Sequence, residues 1–293
     1  MNIFYKGISI LIIFIFLSIL LLSYGISTDK FNKRIISNIE KNLPSSKAKI
    51  EKANVSLDLF SLGLEIKIKN PMVQIDNQDI KIESFKIISD LKSFFKNKYL
   101  LKKVEIKFFE NEIRSLSNIQ LFKDALNSNG VKFNSGLLSG NLVITKFYQD
   151  KKFIKFSGKI NNSSIAIFKN LPSIKNLSAN VSYDNNQISF SNVNGRLNKL
   201  KINSKNINYI NDKRNLNGVV NLNGDITSFS DFKDVLSELI LKDFKKLKKI
   251  KGQIKLAAAL NINFDKNFKI LKDQSNFNLI AENLDLIYFD NQD

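Results

Sequence analysis

The sequence predicts a mainly β protein: one N-terminal transmembrane helix, then a long antiparallel sheet with a few short helices. Apolar and polar residues alternate with period two at about fifteen places after residue 50, and polar turn clusters separate the runs. Ahead of them lies a twenty-residue segment without a charge. Side chains alternate across a strand, so each run has one apolar and one wet face.

The uncharged segment is Gly7 to Ile26, GISILIIFIFLSILLLSYGI. A helix of that length spans about 30 Å, the hydrocarbon thickness of a bilayer. The apolar region of a cleaved signal peptide is shorter, about 7–15 residues, and no A-x-A-like site follows in SYGISTDKFNKR. The expectation is an uncleaved anchor at 1–30 with its span at 7–26, and one β domain over 31–293. Lys6 precedes the span, whereas Lys30, Lys33 and Arg34 follow it. That count alone favours a cytoplasmic body, although long domains are translocated regardless of flanking charge.

Phe31 to Leu43 carries apolar residues at 31, 35, 36, 39 and 43. This spacing predicts a helix ended by Pro44 and packed on the first strands. The strands then follow: Leu64/Ile66/Ile68, Val73/Ile75, Ile80/Ile82, Val104/Ile106/Phe108, Leu142/Ile144, Ile154/Phe156 and Ile165/Ile167. Leu177/Ala179/Val181/Tyr183 and Leu216/Gly218/Val220/Leu222 alternate without a fault, and Ile254 to Phe264 is the longest run. DNQD at 76–79, DNNQ at 184–187 and NDKRN at 211–215 read as turns. A turn or two is expected in Asp90 to Lys98, and a short helix in Asn118 to Asn127. A longer helix is expected over Asp231 to Lys251, with Ser230 as N-cap, acidic residues at its start and lysines before Gly252.

The connections are short, so the strands are antiparallel, and the helices are too few to cover their apolar faces. A second sheet, closure into a barrel, or a ligand-filled groove would each hide such faces; periodicity leaves the three open. An outer-membrane barrel fits poorly, because aromatic girdles at the strand ends are missing.

Composition narrows the chemistry. The chain has no Cys, no Trp and no His. It therefore lacks the usual general base near neutral pH, the commonest metal ligand and any thiol nucleophile. No Gly-rich phosphate loop, nucleophile elbow or metal-ligand spacing occurs, and Asp76/Asp79 and Glu110/Glu112 read as solvated turn and strand-edge charges. The chain is not expected to be an enzyme or to need a cofactor or metal. The formal charge of +18 invites nucleic acid or anionic lipid as partner. The lysines are spread along the chain, however, and the phenylalanines sit on apolar faces, so nucleic-acid binding is not expected.

VSLDLFSLGLEIKIKNPMVQIDNQDIKIESFKIISDLKSFFKNKYLLKKVEIKFFENEI, behind a single N-terminal span, resembles the start of AsmA-like proteins of the TamB and YhdP type. Asp90-Leu91-Lys92-Ser93-Phe94-Phe95 followed by Leu101-Lys102-Lys103-Val104-Glu105-Ile106 is similar to that family's order of elements. LPSIKNLSANVSYDNNQISFSNVNGRLNKLKI at 171–202 and LNGVVNLNGDITSFSDFKDVL at 216–236 are similar to later modules. The resemblance implies an inner-membrane anchor with the body in the periplasm, and a long twisted sheet curled into an apolar groove. It implies carriage of phospholipid between inner and outer membranes, with periplasmic or outer-membrane assembly proteins as partners. On that reading Leu64, Ile66, Ile68, Val220, Leu222, Leu256, Leu260 and Ile262 line the groove. The alternative is a tethered β-sandwich that assists outer-membrane biogenesis without conducting lipid. Members that bridge two membranes are longer, and LDLIYFDNQD at the end resembles the DNNQ turn, so the sheet is expected to continue beyond this chain.

Overall fold

The computed structural model describes residues 13–14, 16–19, 22–30, 32–42, 45–59, 61, 63–90, 101–119, 132–145, 153–166, 173–184, 186–197, 200–226, 247–265, 271–282 and 285–288. Among them are sixteen strands joined in one antiparallel sheet. With strands numbered along the chain from β1 (Ile26–Thr28) to β16 (Asp285–Tyr288), the main order is β1-β3-β4-β6-β7-β8-β9-β10-β11-β12-β13-β14-β15, with β5 beside β6, β2 beside β5 and β16 beside β14. The mainly β class and the antiparallel pairing are therefore as the alternation implied. The chain divides into two compact units, Met1–Phe109 with Asn141–Lys155, and Glu110–Gly140 with Phe156–Asp293.

In the first unit, residues 13–14, 16–19 and 22–24 are helical. Phe14, Phe16 and Leu17 are exposed. The Ser18 hydroxyl donates to the Phe14 carbonyl at 2.8 Å and that of Ser23 to Ile19 at 2.7 Å. Most of the expected span at 7–26 lies outside the described residues, and no helix among the described residues is long and apolar enough to cross a membrane.

Strand β1 (Ile26–Thr28) precedes helix α1 (Asn32–Asn42). The helix lays Ile35 and Ile36 on buried Ile50, Ala53 and Ile68, as its spacing predicted. Asn32, itself buried, donates from Nδ2 to the carbonyls of Ile50 (3.0 Å) and Glu51 (2.8 Å), tying the start of α1 to the next loop. β2 (Ser46–Lys49), β3 (Ala53–Asp58), β4 (Gly63–Lys69), β5 (Met72–Ile75) and β6 (Gln78–Asp90) follow. The DNQD cluster closes the β5–β6 hairpin. Asp76 (φ 49°) and Asn77 (φ 60°) form its two-residue turn, both left-handed, as a type I′ turn requires. β6 pairs with β5 through Gln78–Lys81 and with β4 through Ser84–Asp90. β7 (Leu101–Glu112), β8 (Lys132–Thr145) and β9 (Phe153–Ala166) each give residues to both units.

The second unit holds helix α2 (Ile113–Asn118) and strands β10 (Ile174–Asp184), β11 (Gln187–Leu197), β12 (Leu200–Ile210), β13 (Asn215–Ile226), β14 (Leu247–Asn263), β15 (Asn276–Glu282) and β16 (Asp285–Tyr288). The turns expected at 184–187 and 211–215 join β10 to β11 and β12 to β13.

Several strands carry a feature that alternation cannot register. In β10 the apolar positions are even at Ile174 and odd from Leu177 onward, and in β11 they change between Phe190 and Val193. A regular strand would send the two sets to opposite faces. Instead Ile174, Leu177, Phe190 and Val193 join one apolar cluster with Ile165, Ala179 and Ile207. Between them Asn176 (φ 52°) and Asn192 (φ 53°) take the left-handed conformation, which asparagine tolerates. Asn162 (φ 48°) stands likewise in β9, between Ile160 and Ile165. These bulges return the changed parity to one face and bend their strands. In β12 the register on β13 shifts between Asn203 and Ile207, and the buried Ser204 hydroxyl donates to the Val219 carbonyl at 2.5 Å.

Three expectations are corrected or limited. The helix expected over Asp231 to Lys251 fails at its end, where residues 247–251 open β14 and pair with β16 through Leu247, Lys249, Ile250 and Lys251. A five-residue stretch of mixed Lys and apolar residues fits either period, and ladder bonds to β16 decide for strand. Residues 231–246 of that helix lie outside the described residues. Ile154/Phe156 and Ile165 belong to one strand, β9, rather than two. Of the helix expected over Asn118 to Asn127 only Asn118 and Ile119 are described, Asn118 as the last residue of α2, a helix the sequence pattern did not announce; 120–127 and 91–98 lie outside the described residues.

Candidate functional site

In the first unit the strand registers align apolar residues into rows. One row runs Ile26–Val55–Ile66–Ile87–Val104, across β1, β3, β4, β6 and β7. A second runs Ala53–Ile68–Phe85–Ile106, and a third Leu57–Leu64–Ser89–Leu101. On β3, β4 and β6 the three share one face, since they stand two residues apart on each strand, and on β7 a register irregularity lies between Val104 and Leu101, three residues apart. Ile68 is 1 % exposed and packs beneath α1, so its side chain is core. Leu64 and Ile66 are half-buried, as are Val55, Leu57, Ile87 and Val104.

An open depression of about 410 Å³ lies on this face. Leu22 of the N-terminal helical segment, Ile26, Val55, Leu57 and Leu64 form its apolar lining, and Lys30 stands at it too. Its size falls in the range of small-molecule pockets, about 300–1,000 Å³. Of the expected lining residues, Leu64 reaches it. Val55 and Leu57 were missed as site residues, although the alternation of NVSLDL carries the signal.

The opposite face collects the charge. Lys86 Nζ lies 2.7 Å from Glu65 Oε2, and Lys103 Nζ lies 2.9 Å from Glu105 Oε2. Burial would raise the Glu105 carboxyl. Hydrogen bonds from Lys103 and Asn141 (Nδ2 to Oε1, 3.0 Å), with the charges of Lys103 and Lys86, outweigh it and hold the group below the ordinary glutamate range.

In the second unit the same construction recurs. Tyr183–Ile188–Tyr209–Leu216–Ile262 form one row, Val181–Phe190–Ile207–Gly218–Leu260 the next, and Gly195–Ile202–Leu222 a third. Val220, Leu222, Leu260 and Ile262 are half-buried, and Val220 and Leu222 pack against buried Leu197 and Ile202. Leu256 is in register with Leu222, but its side chain lies outside the described residues. The Leu64 and Ile66 group thus belongs to one unit and the Val220 to Ile262 group to the other, each on a single face of its own strands.

The wet face of the second unit carries one basic row, Arg196–Lys201–Asn223–Lys255, and asparagine ladders beside it. Asn215 Nδ2 donates to Asn261 Oδ1 (2.6 Å) and Asn263 Oδ1 (3.0 Å), and Asn221 Nδ2 donates to Asn203 Oδ1 (3.1 Å). Neighbouring asparagines satisfy one another across β12, β13 and β14, each amide having both a donor and an acceptor. No family model, curated protein or solved structure matches the chain.

Proposed function

We propose that this protein is a membrane-anchored member of the AsmA-like type that holds lipid acyl chains against the apolar face of its sheet and passes phospholipid along it. Its body stands in the periplasm and the path leads between inner and outer membranes. The observation that carries the reading is found in each unit by itself: register-matched apolar rows, half-buried on one face, with ion pairs on the opposite face in the first unit and asparagine ladders there in the second. An acyl chain in water costs about 0.8 kcal/mol per CH₂, so a dry face lowers the barrier to leaving a bilayer. Apolar side chains without fixed polar partners let chains slide.

The anchor is part of the proposal. Phe14, Phe16 and Leu17 point outward from helical backbone, and Ser18 and Ser23 spend their hydroxyls on carbonyls one turn back, as an apolar surrounding demands. The tethered assembly protein remains a second reading, favoured by the closed cluster of Ile165, Leu177, Ala179 and Val193. Photo-crosslinking side chains at Leu64, Ile66, Val220 and Leu222, with Lys67 and Asn217 on the opposite faces as controls, separate the two. Phospholipid captured at the first four and not at the controls supports conduction. Capture at none of them, in folded protein, supports the assembly role.

A further inference from the structure

The small sheet β2–β5–β6 has a second amphipathic face that the lipid-holding rows do not use. Its inner side buries Ser46, Val73, Ile75, Ile80 and Ile82. Its outer side places Lys49, Met72 and Lys81 in one register row and Lys47, Gln74 and Asp79 in the next. Met72 is 62 % exposed, and Lys47, Lys49 and Lys81 are exposed as well. A large apolar side chain is thus held in water with a lysine on either side. Glu83, the next residue on this side of β6, is engaged by Lys107 at 2.7 Å.

The chain around β2 is basic. Residues 30–52, which begin four residues after the uncharged segment ends, contain seven Lys or Arg and two acidic residues. This is about twice the density of the whole chain, 45 in 293. Lys30, Lys33, Lys41, Lys47, Lys49 and Lys52 are all exposed. Clusters of four to eight basic residues beside a span recognise anionic headgroups on the cytoplasmic side, and the same attraction acts at the opposite leaflet wherever it carries anionic lipid. A flexible thioether among lysines suits the boundary between headgroups and acyl chains.

We infer that the outer face of β2–β5–β6, carrying Lys47, Lys49, Met72 and Lys81, docks on an anionic lipid bilayer and sets the body against the membrane that anchors it. The inference shares the anchor with the proposed function but not the lipid-holding face, so the two fail separately.

The chain has no cysteine, so Met72→Cys can be labelled alone with an environment-sensitive fluorophore in the intact 293-residue chain. The protein is reconstituted in vesicles of pure phosphatidylcholine, or of phosphatidylcholine mixed with phosphatidylglycerol. Blue-shifted emission in the anionic vesicles only is expected. It should disappear at about 1 M salt, where screening acts within roughly 3 Å. The added pair Lys47→Glu and Lys49→Glu should abolish the shift while the protein stays in the vesicles. Should that pair unfold, as circular dichroism would show, Lys49→Gln alone should reduce it. Equal emission in both vesicles, or a shift indifferent to these lysines, overturns the inference. A shift caused by added RNA on phosphatidylcholine vesicles, or by protein concentration in detergent, also overturns it, assigning the face to nucleic acid or to a second copy.

Discussion

Glu65 and Lys86 stand on adjacent strands with their charged atoms 2.7 Å apart, on the face opposite Ile66 and Ile87, which are themselves register partners. The two pairs divide the sheet's labour at a single step of the ladder. Charges find each other where water reaches them, and the isoleucines are left to an apolar neighbour.

Ile66→Lys should break that division. A lysine would enter the row Val55–Ile66–Ile87 without an acidic partner on that face. A loss of about 1–3 kcal/mol in urea unfolding is expected, together with loss of phospholipid capture from a crosslinker at Leu64.

Glu105 should make stability depend on pH. Its folded-state value lies below the unfolded one. Its contribution is therefore whole above the ordinary glutamate value, about 4.3, and is lost as pH falls from there through the folded value. Denaturation midpoints of the parent should drop across that window, and Glu105→Gln should flatten the drop. Equal slopes in both would contradict the assignment.

Asn32 is a donor to two carbonyls, so an isosteric acceptor is the sharpest probe. Asn32→Asp would aim carboxylate oxygens at the Ile50 and Glu51 carbonyls. It should destabilise by at least as much as Asn32→Ala, about 1–3 kcal/mol for leaving buried acceptors without donors. Thermal unfolding at neutral pH reads the order of the two.

Gly136 (φ 138°) in β8 faces Ser163 in β9 so closely that an added Cβ would lie 2.8 Å from the Ser163 Cα. Gly136→Ala meets both an unfavourable backbone conformation and a backbone neighbour. A cost of about 1–3 kcal/mol is expected, and Ser163→Gly should not restore the parent's stability, because the backbone strain persists.

Asn192 offers the converse. Its left-handed conformation suits glycine, so Asn192→Gly should change the unfolding midpoint little, whereas Asn192→Val should cost about 1–2 kcal/mol. If valine is as stable as glycine there, the bulge does not hold the face of β11 together.

The alternation of Leu64, Ile66 and Ile68 was enough to read β4, and that of Leu216 to Leu222 enough to read β13, because a strand's period is a local property. Helix α1 was legible for the same reason. The start of β14 was not, since Leu247 to Lys251 is committed by pairing with β16, distant in sequence. The site was legible in part. Leu64 was marked and lies at the depression, while Ile68, chosen by the same rule, is covered by α1. Equal alternation cannot tell a residue under a helix from one left open.

The sequence by itself determined that the strands are one-sided and that turns fall at 76–79, 184–187 and 211–215, because these depend on side-chain period and local backbone preference. Only the tertiary structure decided that Ile174 and Leu177, or Phe190 and Val193, share a face despite their changed parity. That outcome needs a left-handed asparagine between them and a neighbouring strand to reward it. Register is a contact between residues far apart in the chain, and no local pattern carries it.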